Sequence, residues 1–488
     1  MTDSSGSAMA ETHSAVLFFV GDRAYKMKKP VDLGFLDFST REAREAICHR
    51  EVELNRRLSP DVYLGVADVH GVDGEVCDHL VVMRRMPTAR RLSTLLAAGE
   101  PVDEPMWDLA HLIASFHASA ERNDAADDAA GVDALLGRWR DNTAELERHT
   151  EIVDADDVAT VQALAEQYLE GRRPLFDERI AEGRACDGHG DLLTDDVFLL
   201  EDGPRVLDCI EFDDALRYGD VLADVAFLAM DLERIGHRDV ADRFLAAYRE
   251  HAADNWPRSL EHHHVAYRAQ VRAKVSCIRA AQGHESAADE ARTLLALARR
   301  HLEAGAVRLT LVGGLPGTGK STVARMLGDV TGAVVLRSDE VRKERAGIPV
   351  DQPSPEEFGS GLYDAASTDA TYQTLLDRAR SVLAMGEKVI LDASWSSERW
   401  RDQARELAHE TASDLSELRC EAPAQVTAER MRRRSAQGGD PSDATAEIAA
   451  AMAESFDRWP SARVVDTTPD LEALRRFLLH EVAAISRA

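Results

Sequence analysis

Residues 314–322 read Gly314-Leu315-Pro316-Gly317-Thr318-Gly319-Lys320-Ser321-Thr322. This is a G-x-x-x-x-G-K-[S/T] spacing between an apolar run, Arg308–Gly313, and a helical one, and that context gives the pattern its meaning. Glycines at 314, 317 and 319 let backbone N–H groups converge on a phosphate, and the following helix N-terminus adds its positive end. Lys320 is then placed to span β- and γ-phosphates and Ser321 to offer its hydroxyl to Mg²⁺, with Thr318 and Thr322 in the same loop. Two strand ends supply acids. Ala333–Arg337 leads into Ser338-Asp339-Glu340-Val341-Arg342, and Lys388–Leu391 leads into Asp392-Ala393-Ser394. Ligands collect at the carboxyl ends of strands in an open α/β sheet, so both acids are expected to face the phosphate loop. Asp392, ending an apolar strand, is placed to hold Mg²⁺ through water. Asp339 reads either as the acceptor of a hydroxyl proton or as a plain helix N-cap. Met431-Arg432-Arg433-Arg434 precedes the loop Gln437-Gly438-Gly439-Asp440-Pro441. It reads as a lid with Arg433 on the nucleotide or as a solvated arginine face.

A second constellation lies earlier. Within ACDGHGDLLTDD, His189, Asp191 and Asp196 form H-x-D-x-x-x-x-D. Val197–Leu200, the turn Glu201-Asp202-Gly203-Pro204 and Arg205–Ile210 predict a hairpin. It would return Asp208 to the side of Asp196, with Glu211 close behind. Carboxylates converging on one point repel unless a cation sits among them, which suits Mg²⁺.

Upstream residues offer a partner. Strand alternation over Arg23–Lys29 puts Ala24, Lys26 and Lys28 on one face. On a helix over about Arg41–Leu58, Ile47, Glu51, Leu54 and Leu58 share one stripe, so Glu51 is expected to point inward and to need a counter-charge. Lys–Glu pairs of this kind hold a lysine on ATP phosphates. Ala24-Tyr25-Lys26 fits the A-x-K spacing and favours Lys26, with Lys28 still open.

These residues need elements to hold them. Ala15–Val20 and Arg23–Val31 flank the turn Gly21-Asp22, Ser39-Thr40 caps the helix, and Tyr63–Val69 and Leu80–Met83 read as further strands. Arg84-Arg85-Met86-Pro87 reads as a hinge into helical sequence over ~88–186 and ~215–304. From Arg308 strands alternate with helices, the mark of a parallel α/β sheet. We expect a disordered stretch over 1–12, a first domain over 13–304 (small lobe about 13–87, helical lobe about 88–304) and a second over 305–488.

The chain has 488 residues with 87 acidic and 58 basic side chains, a formal charge of −29, and 44% hydrophobic residues. That supports full-sized cores and argues against nucleic acid as a general partner. No apolar run approaches the ~18–20 residues of a membrane span. The first fifteen residues carry no Lys or Arg, so no secretory signal is expected. The six cysteines are scattered without a C-x-x-C pair and read as inert thiols of a cytoplasmic protein. Only seven lysines occur, yet three fall at 26, 28 and 29 and one at 320.

GGLPGTGKST, SDEVR, VILDAS and the arginine-rich stretch with PSDAT resemble the small P-loop kinases of the gluconate kinase, zeta toxin and polynucleotide kinase group, over about 306–470. The resemblance implies Asp339 as general base and Arg342 at the substrate. Residues about 15–300 resemble the aminoglycoside and choline phosphotransferase superfamily. That implies a protein-kinase-like fold, Asp191 as catalytic base, Asp208 as Mg²⁺ ligand, Glu211 as the second acid, and His189 and Asp224 as braces. Asp196 stands where that superfamily usually has Asn. The joint expectation is a multi-domain α/β and α+β chain, a protein-kinase-like phosphotransferase fold followed by a P-loop NTPase parallel-sheet domain. Its function would be ATP- and Mg²⁺-dependent phosphoryl transfer to a hydroxyl of a small molecule. Two alternatives are polynucleotide 5′-hydroxyl kinase activity in the second half and a regulatory ATP-binding protein with an inactive first half.

Overall fold

The computed structural model describes residues 8–11, 14–32, 37–349, 364–437 and 446–485. The chain divides into two compact units. One comprises Met1–Val158, Asp177–Trp256 and His264–Ala298; the other comprises Ala159–Phe176, Pro257–His263 and Arg299–Ala488. The fold class is the expected one, a mixed multi-domain chain with an antiparallel sheet early and a parallel sheet late.

In the first unit, β1 (Ala8–Glu11), β2 (Ala15–Val20), β3 (Arg23–Lys28), β4 (Tyr63–His70) and β5 (Val76–Arg84) form one antiparallel sheet, ordered β1-β2-β3-β5-β4. Disorder was expected over 1–12, but Ala8–Glu11 pairs along the open edge of β2, Ala10 opposite Leu17; residues 1–7 and 12 lie outside the described residues. An unpaired strand edge is a ready template for a short added strand. The helix Arg41–Asn55 starts on Thr40, whose hydroxyl accepts from Ala43 N at 3.2 Å. It ends before the expected Leu58, where Arg57 N and Leu58 N turn back three residues to Leu54 O (3.2 Å) and Asn55 O (3.2 Å); the Asn55 side chain donates to Glu51 O (2.9 Å) and accepts from Cys209 N (2.9 Å). Cys48 and Val52 of this helix pack on Ala24, Tyr63, Val81 and Met83 of the sheet and on Val62 just before β4. Of the predicted stripe Glu51, Leu54 and Leu58 are buried and Ile47 only half-buried; the helix's buried residues are Arg44, Cys48, Glu51, Val52, Leu54 and Asn55.

Helices then dominate, interrupted by two short antiparallel pairs. β6 (Ala185–Asp187) pairs with β9 (Tyr218–Asp220), and β7 (Val197–Leu200) pairs with β8 (Gly203–Val206). The second pair is the predicted hairpin, with Val197 opposite Val206.

In the second unit, β10 (Arg308–Gly313), β11 (Val334–Arg337), β12 (Val389–Asp392), β13 (Asp414–Glu421) and β14 (Arg463–Asp466) form a parallel sheet ordered β11-β12-β10-β13-β14. Its core joins Val312, Val323, Leu327, Ile390, Leu418 and Val465. Among the described residues no helix is long and apolar enough to cross a membrane. All six cysteines are free, and all but Cys77 are buried.

Candidate active sites

The phosphate loop leaves β10 and enters the helix Lys320–Thr331. Gly314, Gly317 and Gly319 take φ of 130°, 78° and 87°, which side chains other than hydrogen rarely tolerate. A Cβ at Gly314 would lie 2.5 Å from Cys420 O, and one at Gly317 would lie 2.9 Å from Thr427 O. The loop is braced: Thr318 Oγ1 donates to Leu315 O at 2.7 Å, and Thr467 Oγ1 donates to Thr318 O at 2.7 Å. Arg430 holds Thr467 through its hydroxyl (3.0 Å) and carbonyl (2.6 Å). Thr467 lies far along the chain outside any motif, and Arg430 directly precedes the Met431–Arg434 run, so no local signal pairs the two. The Lys320 ammonium donates to Leu315 O at 3.4 Å, and Ser321 and Thr322 are half-buried at the start of the helix.

Asp392 ends β12 at 4% exposure. It meets Arg337, whose Nε donates to Asp392 Oδ2 at 3.2 Å and whose Nη2 donates to Ser321 Oγ at 3.3 Å. Ser321 and Asp392 thus already converge on one cation. A hydroxyl and a carboxylate are hard oxygen donors that fit Mg²⁺ when phosphates complete its shell. Asp339, the second residue of the helix Ser338–Arg345, bonds Arg342 at 2.7 Å, so these two predicted site residues form an ion pair. Arg433 is exposed, on the helix Ala424–Gln437, and Arg432 beside it pairs with Glu429 at 3.1 Å. The expected lid over 438–441 and the PSDAT stretch lie outside the described residues.

In the first unit, alternation along β3 buries Ala24, Lys26 and Lys28 on one face. Glu51, fully buried, meets both lysines. Lys26 Nζ lies 2.9 Å from Oε1 and Lys28 Nζ 2.6 Å from Oε2. Burial works against the charge on Glu51, but the two ammonium groups outweigh it and hold the carboxyl below its ordinary range. Lys26 also bonds Asp208 at 2.6 Å, and Lys28 bonds Glu211.

Three or four carboxylates were expected to converge on one point. Among the described residues no group of three or more His, Cys, Asp or Glu side chains is arranged to hold a metal by itself. Glu211 is engaged by Lys28, which is 1% exposed and has Glu51 and Glu211 to offset its burial. Asp196 and Asp208 do come together: Leu207 N donates to Asp196 O at 3.0 Å across the end of the hairpin. Burial raises the Asp196 carboxyl well above its ordinary value, and the charges of Asp208 and Asp191 raise it further. Such a pair calls for a cation and fits Mg²⁺ shared with phosphates. Asp208 itself adopts a left-handed φ of 64°, which Asp tolerates better than most residues. Its N–H donates to the Tyr63 hydroxyl at 3.1 Å.

Burial raises Asp191 to about 6, partly opposed by Arg272, whose Nη1 stands 4.0 Å away. A third of the side chain is accessible (33%), so this is the partial desolvation of a carboxyl with an open edge. The loop that carries it is pinned from behind. Asp224 accepts from the N–H groups of His189 (2.5 Å) and Gly190 (2.8 Å) and bonds His117 Nε2 at 3.2 Å. Asp231 accepts from both N and Oγ1 of Thr194. His189 Nε2 bonds Leu207 O at 3.0 Å, tying the loop to the hairpin.

A family described as "AAA domain" matches residues 309–459. The uncharacterized protein Rv2004c of Mycobacterium tuberculosis is 44% identical over 468 residues, 96% of this chain and 93% of the relative. Among solved structures, a gluconokinase from Sinorhizobium meliloti 1021 is 20% identical with a TM-score of 0.26, covering 38% of this chain and 94% of its own. A choline/ethanolamine kinase family protein from Mesorhizobium loti is 13% identical with a TM-score of 0.36, covering 61% of this chain and 93% of its own.

Proposed function

We propose that this chain, which belongs to the family of the mycobacterial protein Rv2004c, is an ATP-dependent phosphotransferase with two nucleotide sites. In the second unit the phosphate loop would hold ATP, with Lys320 along the β- and γ-phosphates. Mg²⁺ between Ser321 and Asp392 would neutralise charge on the transferring group. Asp339 would take the proton of a small-molecule hydroxyl as its oxygen forms a bond to the γ-phosphorus and the bond to the bridging β–γ oxygen breaks. Arg342 would orient Asp339 and meet the acceptor. The observation that carries this reading is the loop itself: three left-handed glycines ahead of the helix Lys320–Thr331, with Ser321 and Asp392 meeting on one cation.

In the first unit Lys26, held by Glu51, would meet ATP phosphates. Asp208 and Asp196 would hold Mg²⁺, and Asp191 would accept the hydroxyl proton. One observation favours a second reading there, nucleotide sensing without transfer. Lys28 engages Glu211, one of the acids expected at the metal.

The test incubates the full chain with γ-labelled ATP and separate pools of sugars, amino-alcohols, nucleosides and oligonucleotides. We expect label on a small hydroxyl compound, with a loss of about 100-fold or more in Lys320→Ala, because the site's phosphate charge loses a preorganised partner. Transfer untouched by Lys320→Ala but abolished by Asp191→Asn would move the activity to the first unit. Label found only on oligonucleotides would favour a polynucleotide kinase.

A further inference from the structure

Parallel pairing sets Arg337 directly opposite Asp392 at the carboxyl ends of β11 and β12. Side chains at paired positions of neighbouring strands project from the same face of a sheet. The guanidinium of Arg337 therefore lands on Asp392, and it is large enough to reach further. Nε donates to Asp392 Oδ2 at 3.2 Å, Nη2 to Ser321 Oγ at 3.3 Å, and Nη1 to Glu340 Oε1 at 3.1 Å. Exposure grades outward along this set: the Asp392 side chain is 4% exposed, that of Arg337 21% and that of Glu340 43%.

Two of the three acceptors are the oxygens assigned above to Mg²⁺. Such an ion needs its ligand oxygens at about 2.0–2.1 Å in near-octahedral geometry. A guanidinium bridging the same two oxygens fills that space, and its charge repels a second cation there. Asp392 nevertheless needs a cation at all times, because a buried carboxylate is tolerated only when paired. Glu340 offers the guanidinium a solvent-side partner to which it can retreat.

We infer that Arg337 and a divalent cation are alternative occupants of the place between Ser321 and Asp392. Arg337 compensates Asp392 and keeps out a metal ion arriving alone. Metal enters with nucleotide, whose phosphates bring ligands for the ion and negative charge for the displaced guanidinium. Arg337 is thus a positioning residue that makes metal binding conditional on nucleotide. The inference rests on the reading of Ser321 and Asp392 as a metal pair.

The test uses the full chain and Mn²⁺ as probe, titrated by paramagnetic resonance with and without ATP. Without ATP, Arg337→Ala should gain a Mn²⁺ site relative to wild type. That site should be absent from the Arg337→Ala/Asp392→Asn double variant. The gain should be a coupling of ordinary size, roughly 5–150-fold in affinity. Glu340→Gln is the companion variant at an exposed position. It removes the retreat of Arg337 and should raise the Mn²⁺ concentration needed to support ATP binding. If Arg337→Ala fails to fold, as circular dichroism would reveal, Glu340→Gln alone decides: a lower or unchanged Mn²⁺ requirement overturns the inference. Unchanged nucleotide-free Mn²⁺ binding in folded Arg337→Ala also overturns it, as does a gained site that survives Asp392→Asn. Loss of Mn²⁺-supported ATP binding in Asp392→Asn separates the two levels. If it occurs while Arg337→Ala has no effect, the metal pair stands and the exchange fails. If Asp392→Asn changes nothing, the metal pair itself falls, and the inference with it.

Discussion

Glu51 is the residue on which the first site turns, since two ammonium groups share one buried carboxylate and each carries a second acid outward. Replacing it by Gln keeps the shape but strands two lysines. Breaking a buried pair costs about 3–5 kcal/mol, so Glu51→Gln should shift the urea midpoint of the first unit strongly downward. An unchanged midpoint would show that Lys26 and Lys28 are satisfied without it. Asp224 supplies a pH test of the same lobe. Burial would raise its carboxyl, but the bond and charge of His117 and the charge of His189 outweigh burial and depress it. A depressed carboxyl adds stability above its unfolded value of ~3.9 and loses it as pH falls further. His264 is depressed as well, which for an imidazole favours the neutral form, and the consequence is the same. Burial and three arginines push it below its ordinary value, so below ~6.5 the unfolded chain binds a proton that the fold refuses. The His264 contribution is lost from about pH 6.5 downward while the raised Asp191 and Asp196 carboxyls act the other way, so thermal unfolding of the first unit should weaken most steeply below about pH 4, where the Asp224 contribution goes. A profile from pH 7 to pH 4 left unchanged by His264→Gln would contradict the His264 assignment, and a midpoint that held steady below pH 4 would contradict the Asp224 assignment.

Elements decide which residues meet, and here the sequence was legible in part. The alternation of β3 and the inward acid on the helix Arg41–Asn55 are local patterns, and both are borne out in the burial of Lys26, Lys28 and Glu51. The spacing of the phosphate loop and of the hairpin after Asp196 is equally local. The Lys28–Glu211 pair spans 183 positions and the Arg337–Asp392 pair spans 55; each depends on how separate elements are brought together, which neither residue announces. Arg172 makes the same point. It follows the helix Ala155–Gly171 at 1% exposure and donates to the carbonyls of Leu383, Thr411 (2.7 Å) and Ala412 (3.1 Å) and to Ser413 Oγ (3.2 Å). Burial lowers its pKa to about 10, yet it retains its charge at neutral pH. A helical periodicity predicts that one face is buried, but not what covers it, so the alliance of residues 159–176 with the parallel-sheet unit was not legible. Arg172→Met should destabilise that unit by about 3 kcal/mol, the cost of leaving several buried acceptors unmet, read as a lowered urea midpoint. A midpoint within about 0.5 kcal/mol of wild type would make the contact incidental.

At the scale of the whole chain, both units answer the same electrostatic problem in the same way. An acid expected to receive a metal ion already holds a basic side chain of the protein, Lys26 on Asp208 in one unit and Arg337 on Asp392 in the other. With a formal charge of −29, the chain keeps basic side chains close to the acids where phosphates are expected. The central claim is that each unit binds Mg·ATP at its own site. Calorimetric titration of Mg·ATP into the full chain tests it most directly. Wild type should bind two equivalents, Lys320→Ala and Lys26→Met should each lose one, and the double variant should bind none. A single equivalent in wild type, or two retained in the folded double variant, would contradict the account.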